Sequence, residues 1–429
     1  MREFFHSVTL DEDKCKGCTN CIKRCPTEAI RVRDGKARIR TERCIDCGEC
    51  IRVCPHHAKR AVSDSLELME QFRYKIALPA PSLYGQFNNL SEIDYVLTGL
   101  QDMGFDDVFE VSRAAEVISD ATRHMMRAGG LKMPVISSAC PAVVRMIRMR
   151  FPSLCDQVLP LAAPMHEAAR CAKLEAAART GLPAGQIGAF FITPCPAKVT
   201  DVLSPIGIGS SHVDGTFAMA DVYPRLLERM NKIASPRQLA KSGIIGVSWA
   251  NSGGEASALI QEKYLAADGI ENVITVLEEL EDERLQGLEF IELNACHGGC
   301  VGGVLTVENP YVAKSRIQLL RKYLPVSLNR IADGILLEDL MWKDKLEYRD
   351  VAHLSDDITE AIEMLEAINT LEKAFPGLDC GSCGAPSCRA LAEDIVTGSA
   401  RRNDCIFILR NEASVAGVDI SPDLFWKMG

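Results

Sequence analysis

Cysteine is the residue that most constrains this chain: 18 cysteines stand among its 429 residues, and most of them fall in closely spaced groups. A chain kept reduced in the cytosol does not use so many cysteines for disulfides, so metal binding is the better explanation. The N-terminus has no apolar run long enough for a signal peptide, and no stretch approaches the ~18 consecutive apolar residues of a membrane helix. We therefore expect a soluble, cytoplasmic metal-binding protein with no membrane contact.

The overall composition is that of an ordinary globular protein. Hydrophobic residues make up 47% and charged residues 25% of the chain. The formal net charge of −10 argues against a general nucleic-acid binder, which would usually show a basic face. A length of 429 residues allows two or three domains. Changes in composition predict three regions, at residues 1–70, 71–345 and 346–429.

The first region contains an internal repeat of four cysteines followed by a proline. One run is Cys15, Cys18, Cys21 and Cys25, and the other is Cys44, Cys47, Cys50 and Cys54. The spacing C-x2-C-x2-C-x3-C-P is that of bacterial ferredoxins, in which the fourth cysteine of each run binds the other cluster. It predicts one 4Fe–4S cluster on Cys15, Cys18, Cys21 and Cys54, and a second on Cys44, Cys47, Cys50 and Cys25. Structural zinc is the alternative, although zinc usually pairs two C-x2-C arms.

The second region alternates short β-like runs with helical segments, a pattern that favours an α/β fold with at least partly parallel sheets. The β-like runs occupy residues 75–81, 107–111, 134–140, 187–195, 244–250 and 290–296. Helical segments are expected at residues 163–180 and 221–233. Three of the predicted strands lead directly into a cysteine, and functional residues in α/β folds lie at the carboxyl ends of strands.

Four cysteines of the second region lie in segments that contain proline or glycine. They are Cys140 in SSACPAV, Cys195 in TPCPAKVTD, and Cys296 and Cys300 in ELNACHGGCVGG. Because glycine lets the backbone approach a ligand closely, these four cysteines could converge on one cubane. Cys155 and Cys171 match no metal spacing, so we expect them to be small buried hydrophobic residues.

The third region is predicted to begin with a helix that has Ser355 as its N-cap. Its apolar positions are Ile358, Ile362, Leu365, Ile368 and Leu371. A loop rich in glycine and proline and a second helical stretch then contain four cysteines: Cys380, Cys383, Cys388 and Cys405. The pattern C-x2-C-x4-C-x16-C resembles the small 4Fe–4S domain of corrinoid iron–sulfur proteins and predicts a third auxiliary 4Fe–4S cluster. A zinc knuckle is the alternative.

The three motifs of the second region, in this order, resemble the signatures of the FeFe-hydrogenases, which are written TSCCPxW, MPCxxKxxE and ExMxCxGGCxxGG. The resemblance covers nearly all of residues 1–310, and the C-terminal cysteine pattern is similar to that of the sensory-type, group D-like branch. It implies two α/β lobes around a buried cluster, with a ferredoxin-like domain before them and a small helical 4Fe–4S domain after them. The implied cofactor is the H-cluster, a 4Fe–4S cubane joined to a diiron subsite that carries carbon monoxide, cyanide and a dithiolate bridge.

The resemblance also implies roles for individual residues. The cubane ligands would be Cys140, Cys195, Cys296 and Cys300, and Cys300 would bridge to the diiron subsite. Lys198 would donate to one cyanide, and Ala80, Pro81 and Ser82 match a segment that contacts another. A buried ammonium needs an anionic partner, which a cyanide-bearing iron pair provides. A lysine at the surface is the alternative for Lys198.

Several residues depart from the family pattern. Ala139 stands where the prototypical enzymes have a proton-relaying cysteine, and Asp201 replaces the glutamate of the second motif. Thr193 and Asn294 stand where the signatures have methionine. The acid cluster that continues the proton path has no clear counterpart near Glu116 and Asp120. We therefore expect an assembled cluster with a poor proton supply and low turnover.

The sequence thus predicts a slow FeFe-hydrogenase that interconverts protons and electrons with dihydrogen, either as a hydrogen sensor or as a subunit of a redox complex. The implied partners are a redox protein such as a ferredoxin and the maturases that supply the diiron subsite. The alternative is a non-catalytic iron–sulfur protein, in electron transfer or in cluster assembly, that lacks the diiron subsite. The sequence ends at Gly429, and we expect no output domain of its own.

Overall fold

The computed structural model describes residues 6–331, 336–351 and 353–415. Within these ranges the chain forms two compact units. The first unit consists of the described parts of residues 1–7, 45–48 and 61–348, and the second of the described parts of residues 8–44, 49–60 and 349–429. The domain boundaries expected after residues 70 and 345 stay predictions. No described helix has the length and apolar character needed to cross a membrane.

The secondary structure of the described residues is mixed. The strands are β1 Val8–Leu10, β2 Ile30–Arg33, β3 Lys36–Ile39, β4 Lys59–Ala61, β5 Tyr74–Pro79, β6 Asp107–Val108, β7 Val135–Ile136, β8 Ile187–Thr193, β9 Gly215–Ala218, β10 Tyr264–Asp268 and β11 Phe290–Asn294. The α-helices are α1 Asn20–Lys23, α2 Glu49–Arg52, α3 Asp94–Asp102, α4 Val111–Ala128, α5 Pro141–Arg150, α6 Pro164–Thr180, α7 Pro196–Leu203, α8 Met219–Met230, α9 Ile244–Ser248, α10 Gly254–Ala258, α11 Ile270–Glu281, α12 Pro310–Leu320, α13 Leu337–Leu340, α14 Ile358–Ala374, α15 Cys388–Val396 and α16 Ile406–Val415. Short 3-10 helices span Thr41–Arg43, Leu66–Gln71, Pro81–Gln86, Pro152–Gln157, Ala184–Gln186, Cys300–Gly302, Arg321–Tyr323 and Arg402–Asp404.

Two parallel sheets organise the first unit. One has the strand order β6-β5-β8-β9 and the other β10-β11-β7, and all neighbouring strands in both sheets are parallel. Helices follow most of these strands and cover the sheets, so β8 is buried at every position. The α/β fold expected from the sequence is confirmed.

The alanine-rich helix α6 shows why the core of the first unit is compact. Pro164 occupies its first turn, and Gly181, with a left-handed φ of 70°, ends it. Four buried alanines face the core, at positions 168, 169, 172 and 176. Because their side chains are small, α6 packs directly against β8 and α4.

One strand expected from the sequence is wrong. Residues 244–250 were predicted as a strand, but Ile244–Ser248 form helix α9. A short apolar run has no periodicity that separates a strand from a helix. Gly246 allows the close packing of α9, since a Cβ atom there would lie 2.0 Å from the carbonyl oxygen of Ser112 on α4.

The other five predicted strands are present as β5, β6, β7, β8 and β11, and each of them is shorter than expected. The helix expected at residues 221–233 spans Met219–Met230. The sequence reading missed β9 and β10, which are short strands at sheet edges.

The second unit contains a hairpin that the sequence reading also missed. Strands β2 and β3 pair in antiparallel register, from Ile30 opposite Ile39 to Arg33 opposite Lys36. Asp34 and Gly35 connect them with φ values of 52° and 71°. Two consecutive left-handed residues, with glycine second, form the favoured two-residue hairpin turn. A further two-stranded sheet pairs β1 with β4.

The N-cap predicted for helix α14 is wrong by two residues. Asp357 caps the helix, because its Oδ1 accepts hydrogen bonds from the backbone N–H groups of Thr359 and Glu360 at 2.8 and 3.0 Å. Ser355 instead accepts a bond from the N–H group of Asp357. Of the five predicted apolar positions, Ile368 is buried and Leu371 packs beside it, whereas Ile358, Ile362 and Leu365 are exposed.

Candidate metal centre

Two of the predicted cluster ligands stand at equivalent points of the fold. Cys140 follows β7 and is the N-cap of α5, and Cys195 follows β8 and is the N-cap of α7. In each case a proline occupies the next position, where its missing N–H costs no hydrogen bond. The helix therefore begins directly after the cysteine in both cases, and the cysteine lies four residues after the end of β7 and two residues after the end of β8. A helix N-terminus carries a partial positive charge, which favours a thiolate.

The other two predicted ligands lie in the loop after β11. Cys296 and Cys300 are both half-buried, and Cys300 begins the 3-10 helix Cys300–Gly302. Glycines let this loop pack tightly. Gly299 has a φ of 93°, and a Cβ atom on Gly303 would lie only 2.2 Å from the carbonyl oxygen of Pro194, beside Cys195. The loop and the segment around Cys195 are thus in direct contact.

The structure brings three of the thiols and the predicted lysine together. Burial raises the pKa of Cys195 to about 11, while the nearby Lys198 opposes the rise and Cys140 adds to it. Burial raises the pKa of Cys300 to about 12. The charge of Lys198 opposes this rise, and Cys195 and Cys140 add to it. Thiols in this environment stay protonated unless a metal ion replaces the proton, so the donor set suits a bound metal cluster.

Lys198 is buried rather than at the surface. Its side chain lies on α7, only 9% of the residue is exposed, and its Nζ donates to the backbone carbonyl of Ala139 at 3.0 Å. An ammonium group has three donors, and a buried cation is costly unless an anionic group is near. Anionic ligands bound beside Cys300 would provide that group.

A cavity within the first unit lies beside these residues. Its wall is mainly apolar, with Pro81, Ala139, Met165 and Phe191 among its lining residues. The polar or ionisable lining residues are Ser82, Lys198, Glu255, Glu292, Asn294 and Cys300. Ser82 is fully buried, and its Oγ has no hydrogen-bond partner among the described residues. A buried hydroxyl left unpaired in a cavity wall suits a bound polar ligand.

Two buried glutamates in the cavity wall were missed by the sequence reading. Burial, followed by the neighbouring carboxylate of Glu292, raises the pKa of Glu255 to about 8, and Ser137 Oγ donates to its Oε2 at 2.6 Å. Glu292 accepts from the backbone N–H groups of Gly253 and Ala256 at 3.0 and 2.8 Å. Asn294 adds a third donor to Glu292 at 2.8 Å. Burial raises the pKa of Glu292 as well, but its three donors favour the ionised form, so Glu255 is the better proton carrier.

The residues that depart from the family signatures have local partners. Thr193 Oγ1 donates to the carbonyl of Cys195 at 3.0 Å. Asp201 is buried and pairs with Nε2 of His166 at 3.0 Å, while Nδ1 of His166 lies 2.9 Å from Ser211 Oγ. Burial acts to raise the pKa of Asp201, but the bond and charge of His166 outweigh it and lower the pKa. A structural role for this histidine accounts for both contacts.

The two cysteines outside the predicted ligand sets have different surroundings. Cys155 is buried, as expected. Cys171 is only partly buried on α6, and its Sγ lies 3.0 Å from Glu167 Oε1. Burial and then this carboxylate raise the pKa of Cys171, which keeps it a neutral thiol.

The N-terminal cysteines of the second unit pack into one apolar cluster, which includes Cys15, Cys21, Cys50 and Cys54. The two runs have matching backbone donors: the N–H of Ala29 points to Cys25 Sγ at 3.2 Å, and the N–H of Ala58 points to Cys54 Sγ at 3.3 Å. Burial raises the pKa of Cys21 to about 11, and Cys18 and Cys15 add to the rise. Such N–H···S bonds support the charge of a cluster.

The C-terminal cysteines also converge. Burial raises the pKa of Cys383, with contributions from Cys380 and Cys405. Cys383, Cys388 and Cys405 share one apolar cluster. Asp379 fixes the loop by accepting a bond from the N–H group of Cys388 at 2.6 Å.

Parallel sheets and three convergent sets of cysteines define the class as an α/β iron–sulfur protein. Residues 73–223 and 247–304 match the family described as the iron only hydrogenase large subunit, C-terminal domain. Residues 7–55 match a 4Fe-4S dicluster domain, and residues 375–407 match a putative Fe-S cluster family. The chain is thus similar to the FeFe-hydrogenase large subunit in its central part and to iron–sulfur domains before and after that part.

Known hydrogenases are similar to this chain at low identity. Iron hydrogenase 1 of Clostridium pasteurianum is 23% identical over 377 residues, which cover 69% of this chain and 64% of that protein. An NADP-reducing hydrogenase subunit of Solidesulfovibrio fructosivorans is 24% identical over 69% of this chain and 56% of its own length. The periplasmic Fe hydrogenase large subunit of Nitratidesulfovibrio vulgaris is 29% identical over 47% of this chain and 52% of its own length. The chain therefore spans between about half and two thirds of these curated relatives.

Solved structures support the fold. A variant of the FeFe-hydrogenase of Chlamydomonas reinhardtii matches with a TM-score of 0.50 and 13% identity, over 68% of this chain and 97% of that one. An apo variant of the same enzyme also gives a TM-score of 0.50, with 15% identity. The FeFe-hydrogenase fold expected from the motifs is confirmed, whereas the sensory-type branch stays a prediction.

Proposed function

We propose that this protein is an FeFe-hydrogenase that interconverts protons and electrons with dihydrogen at an H-cluster, with low turnover. The observation that carries the proposal is the meeting of Cys140, Cys195, Cys300 and a buried Lys198 beside an apolar cavity. Cys296, four residues before Cys300 in the same loop, would complete the cubane ligands.

The residues around the cavity fit the diiron subsite of such a cofactor. Lys198 offers an ammonium group, Ser82 offers an unpaired hydroxyl, and Pro81 and Ala139 supply apolar wall. When bound, the cofactor supplies the redox and hydrogen-activating chemistry. The chain holds the cluster through thiolates, donates hydrogen bonds to its anionic ligands and excludes water from the cavity.

Protons reach the cavity through a group other than the cysteine that this chain lacks at position 139. Glu255 lies in the cavity wall, and its raised pKa lets it hold a proton near neutral pH. Ser137 donates to Glu255 and lies two residues before Ala139, so the acid is tied to the segment that lacks the relay thiol. We infer that Glu255, supported by Ser137 and Glu292, exchanges protons with the cavity.

Three auxiliary 4Fe–4S clusters would carry the electrons, two on the N-terminal cysteine runs and one on the C-terminal set. A redox protein such as a ferredoxin, or another subunit of a complex, would exchange electrons with them. The NADP-reducing hydrogenase subunit among the relatives is part of such a complex by its name. Low turnover suits a regulatory or sensing role.

The test is hydrogen evolution by anaerobically matured protein with a low-potential chemical reductant. We expect slow but measurable evolution by the wild type, loss of at least ~10²-fold in Lys198→Met, and no loss in Lys173→Met, whose lysine pairs with Asp214 away from the cavity. A non-catalytic iron–sulfur protein would evolve no hydrogen in any variant, and that result would contradict the proposal.

A further inference from the structure

The C-terminal cysteine loop is seated on the ferredoxin-type hairpin of the second unit. The backbone N–H of Val32 on β2 donates to the carbonyl of Gly384 at 2.8 Å. A Cβ atom on Gly384 would lie 1.9 Å from the carbonyl oxygen of Val32, so only glycine allows this approach. Arg33, the next residue on β2, donates to the carbonyl of Cys383 at 2.7 Å. Two consecutive residues of the hairpin thus hold the loop that contains the predicted cluster ligands.

A buried salt-bridge cluster fixes the same contact from the other side. Asp394 is 1% exposed and lies on α15, the helix that begins at Cys388. Its two carboxylate oxygens accept bonds from three arginines of the hairpin region, at 2.7, 2.7 and 2.6 Å: Arg31, Arg33 and Arg40. A buried carboxylate with three guanidinium partners is a specific attachment, since removing it would leave buried cations unpaired.

The C-terminal cysteine loop also contacts the N-terminal run of cysteines that extends from Cys15 to Cys25. Gly381, with a φ of 76°, lies against Ile22 and Lys23, which directly follow Cys21. Lys23 also acts electrostatically on Cys380. The loop with Cys380 and Cys383 therefore lies next to the run with Cys21 and Cys25. Lys23 of that run makes the contact.

Charge at the contact is strongly unbalanced. The three arginines share a single carboxylate, and burial and then Arg31 lower the pKa of Arg40. A 4Fe–4S cluster with four thiolates is anionic and gains a further negative charge on reduction. Excess positive charge beside Cys383 therefore stabilises the reduced form of a C-terminal cluster and raises its reduction potential.

We propose that the C-terminal cluster is the direct electron partner of the ferredoxin-type clusters, held in place by Asp394 and tuned by Arg33. The proposal rests on the cluster assignments made under the proposed function. In each transfer one electron leaves a reduced ferredoxin-type cubane and reduces the C-terminal cubane, with no bond made or broken. Cys380 is exposed, so this cluster also reaches the protein surface, where a one-electron acceptor protein would oxidise it again.

The test uses the full-length chain with its 4Fe–4S clusters, reduced stepwise by dithionite and followed by electron paramagnetic resonance. We expect the signal of the C-terminal cluster, identified by its loss in Cys383→Ser with Cys388→Ser, to be split or broadened by a neighbouring reduced cubane. Asp394→Asn should weaken this magnetic interaction. Full iron content in Asp394→Asn would show that the clusters remain; if that variant does not fold, Arg33→Gln carries the test.

Arg33→Gln should lower the reduction equilibrium constant of the C-terminal cluster about tenfold, which is about 59 mV for a one-electron couple. Arg38→Gln is the matched control, because Arg38 lies on the paired strand β3 but is exposed and contacts Asp34 instead. A magnetically isolated C-terminal cluster, or equal potentials in the two arginine variants, would overturn the proposal. An iron count that lacks the C-terminal cubane altogether would overturn the cluster assignment and, with it, this inference.

Discussion

The ammonium group of Lys198 donates a hydrogen bond to the backbone carbonyl of Ala139, with 3.0 Å between Nζ and the oxygen. The contact uses no side-chain atom of residue 139, so a substitution at that position can leave it in place. Ala139, which the family resemblance places at the position of the relay cysteine, therefore also binds the buried ammonium group through its backbone. The side chain at position 139 can therefore be changed without removing the hydrogen bond that positions Lys198.

Ala139→Cys should increase hydrogen evolution, but by less than the ~10²–10⁴-fold that a positioned acid or base typically contributes. We expect a limited gain because the sequence shows no clear counterpart of the acid cluster that continues the proton path in the prototypes. Rates are compared at equal cluster occupancy, verified by infrared spectroscopy. Ala139→Ser is the control, since its hydroxyl is a much weaker acid than a thiol, and an equal gain in both variants would exclude a relay effect.

Glu255→Gln should lower turnover by ~10²-fold or more and remove the ionisation near pH 8 from the rate profile, because the amide cannot exchange the proton. Ser137→Ala should have a smaller effect, since it removes only the hydroxyl that donates to Glu255. The measurement is hydrogen evolution against pH. Glu262→Gln, which changes an exposed glutamate, serves as the control. An unchanged profile in Glu255→Gln would mean that protons reach the cavity by another route.

The same glutamate should make the stability of the first unit depend on pH. Its folded-state pKa of about 8 lies above the ordinary value of 4.5, so the folded protein keeps a proton that the unfolded chain releases between these values. The contribution of Glu255 to the free energy of unfolding is therefore largest below pH 4.5 and is lost as the pH rises towards 8. Chemical unfolding at pH 6 and pH 9 measures it, and the wild type should lose more stability than Glu255→Gln over this interval. An equal loss in both proteins would contradict the raised pKa.

Thr200→Val should destabilise the first unit by about 1–3 kcal/mol, because it leaves a buried carboxylate with one partner fewer. Thr200 Oγ1 donates to Asp46 Oδ2 at 2.7 Å and lies 2.6 Å from Ser7 Oγ. Asp46 stands between Cys44 and Cys47, and within the first unit the bond joins the segment of residues 45–48 to helix α7. The unfolding midpoint measures the loss. Thr275→Val, on the exposed side of α11, should change it little, and equal midpoints in the two variants would contradict this account.

The sequence was most informative where chemistry fixes local structure. Apolar runs that lead into a cysteine predicted the strands before Cys140 and Cys195, and both strands are present, although β7 ends at Ile136. The helices that begin just after these cysteines were not predicted. The acid pair was not predicted because Glu255 and Glu292 are brought together only by the packing of α10 on β11. The one available signal was a glutamate inside the apolar strand FIELN, because a charged residue is rarely buried unless it has a partner.

Contacts between distant segments were beyond the reach of sequence patterns. Arg31 and Asp394 are 363 positions apart. In the sequence each resembles an ordinary charged surface residue, but in the fold both are buried and paired. The strand expected at residues 244–250 failed for a related reason, since its helical form depends on the close approach of Gly246 to α4. Local spacing identified the candidate ligands, and tertiary packing determined how they are arranged.

Infrared spectroscopy of the anaerobically matured protein, with an iron count on the same sample, tests the central claim most directly. We predict carbon monoxide and cyanide bands, with about 18 irons per chain when matured and about 16 without the diiron subsite, on the basis of four irons per cubane. Lys198→Met should shift the cyanide bands, because it removes the ammonium donor beside the cavity. Absence of both kinds of band after maturation, with cubanes intact, would contradict the assignment and identify a non-catalytic iron–sulfur protein.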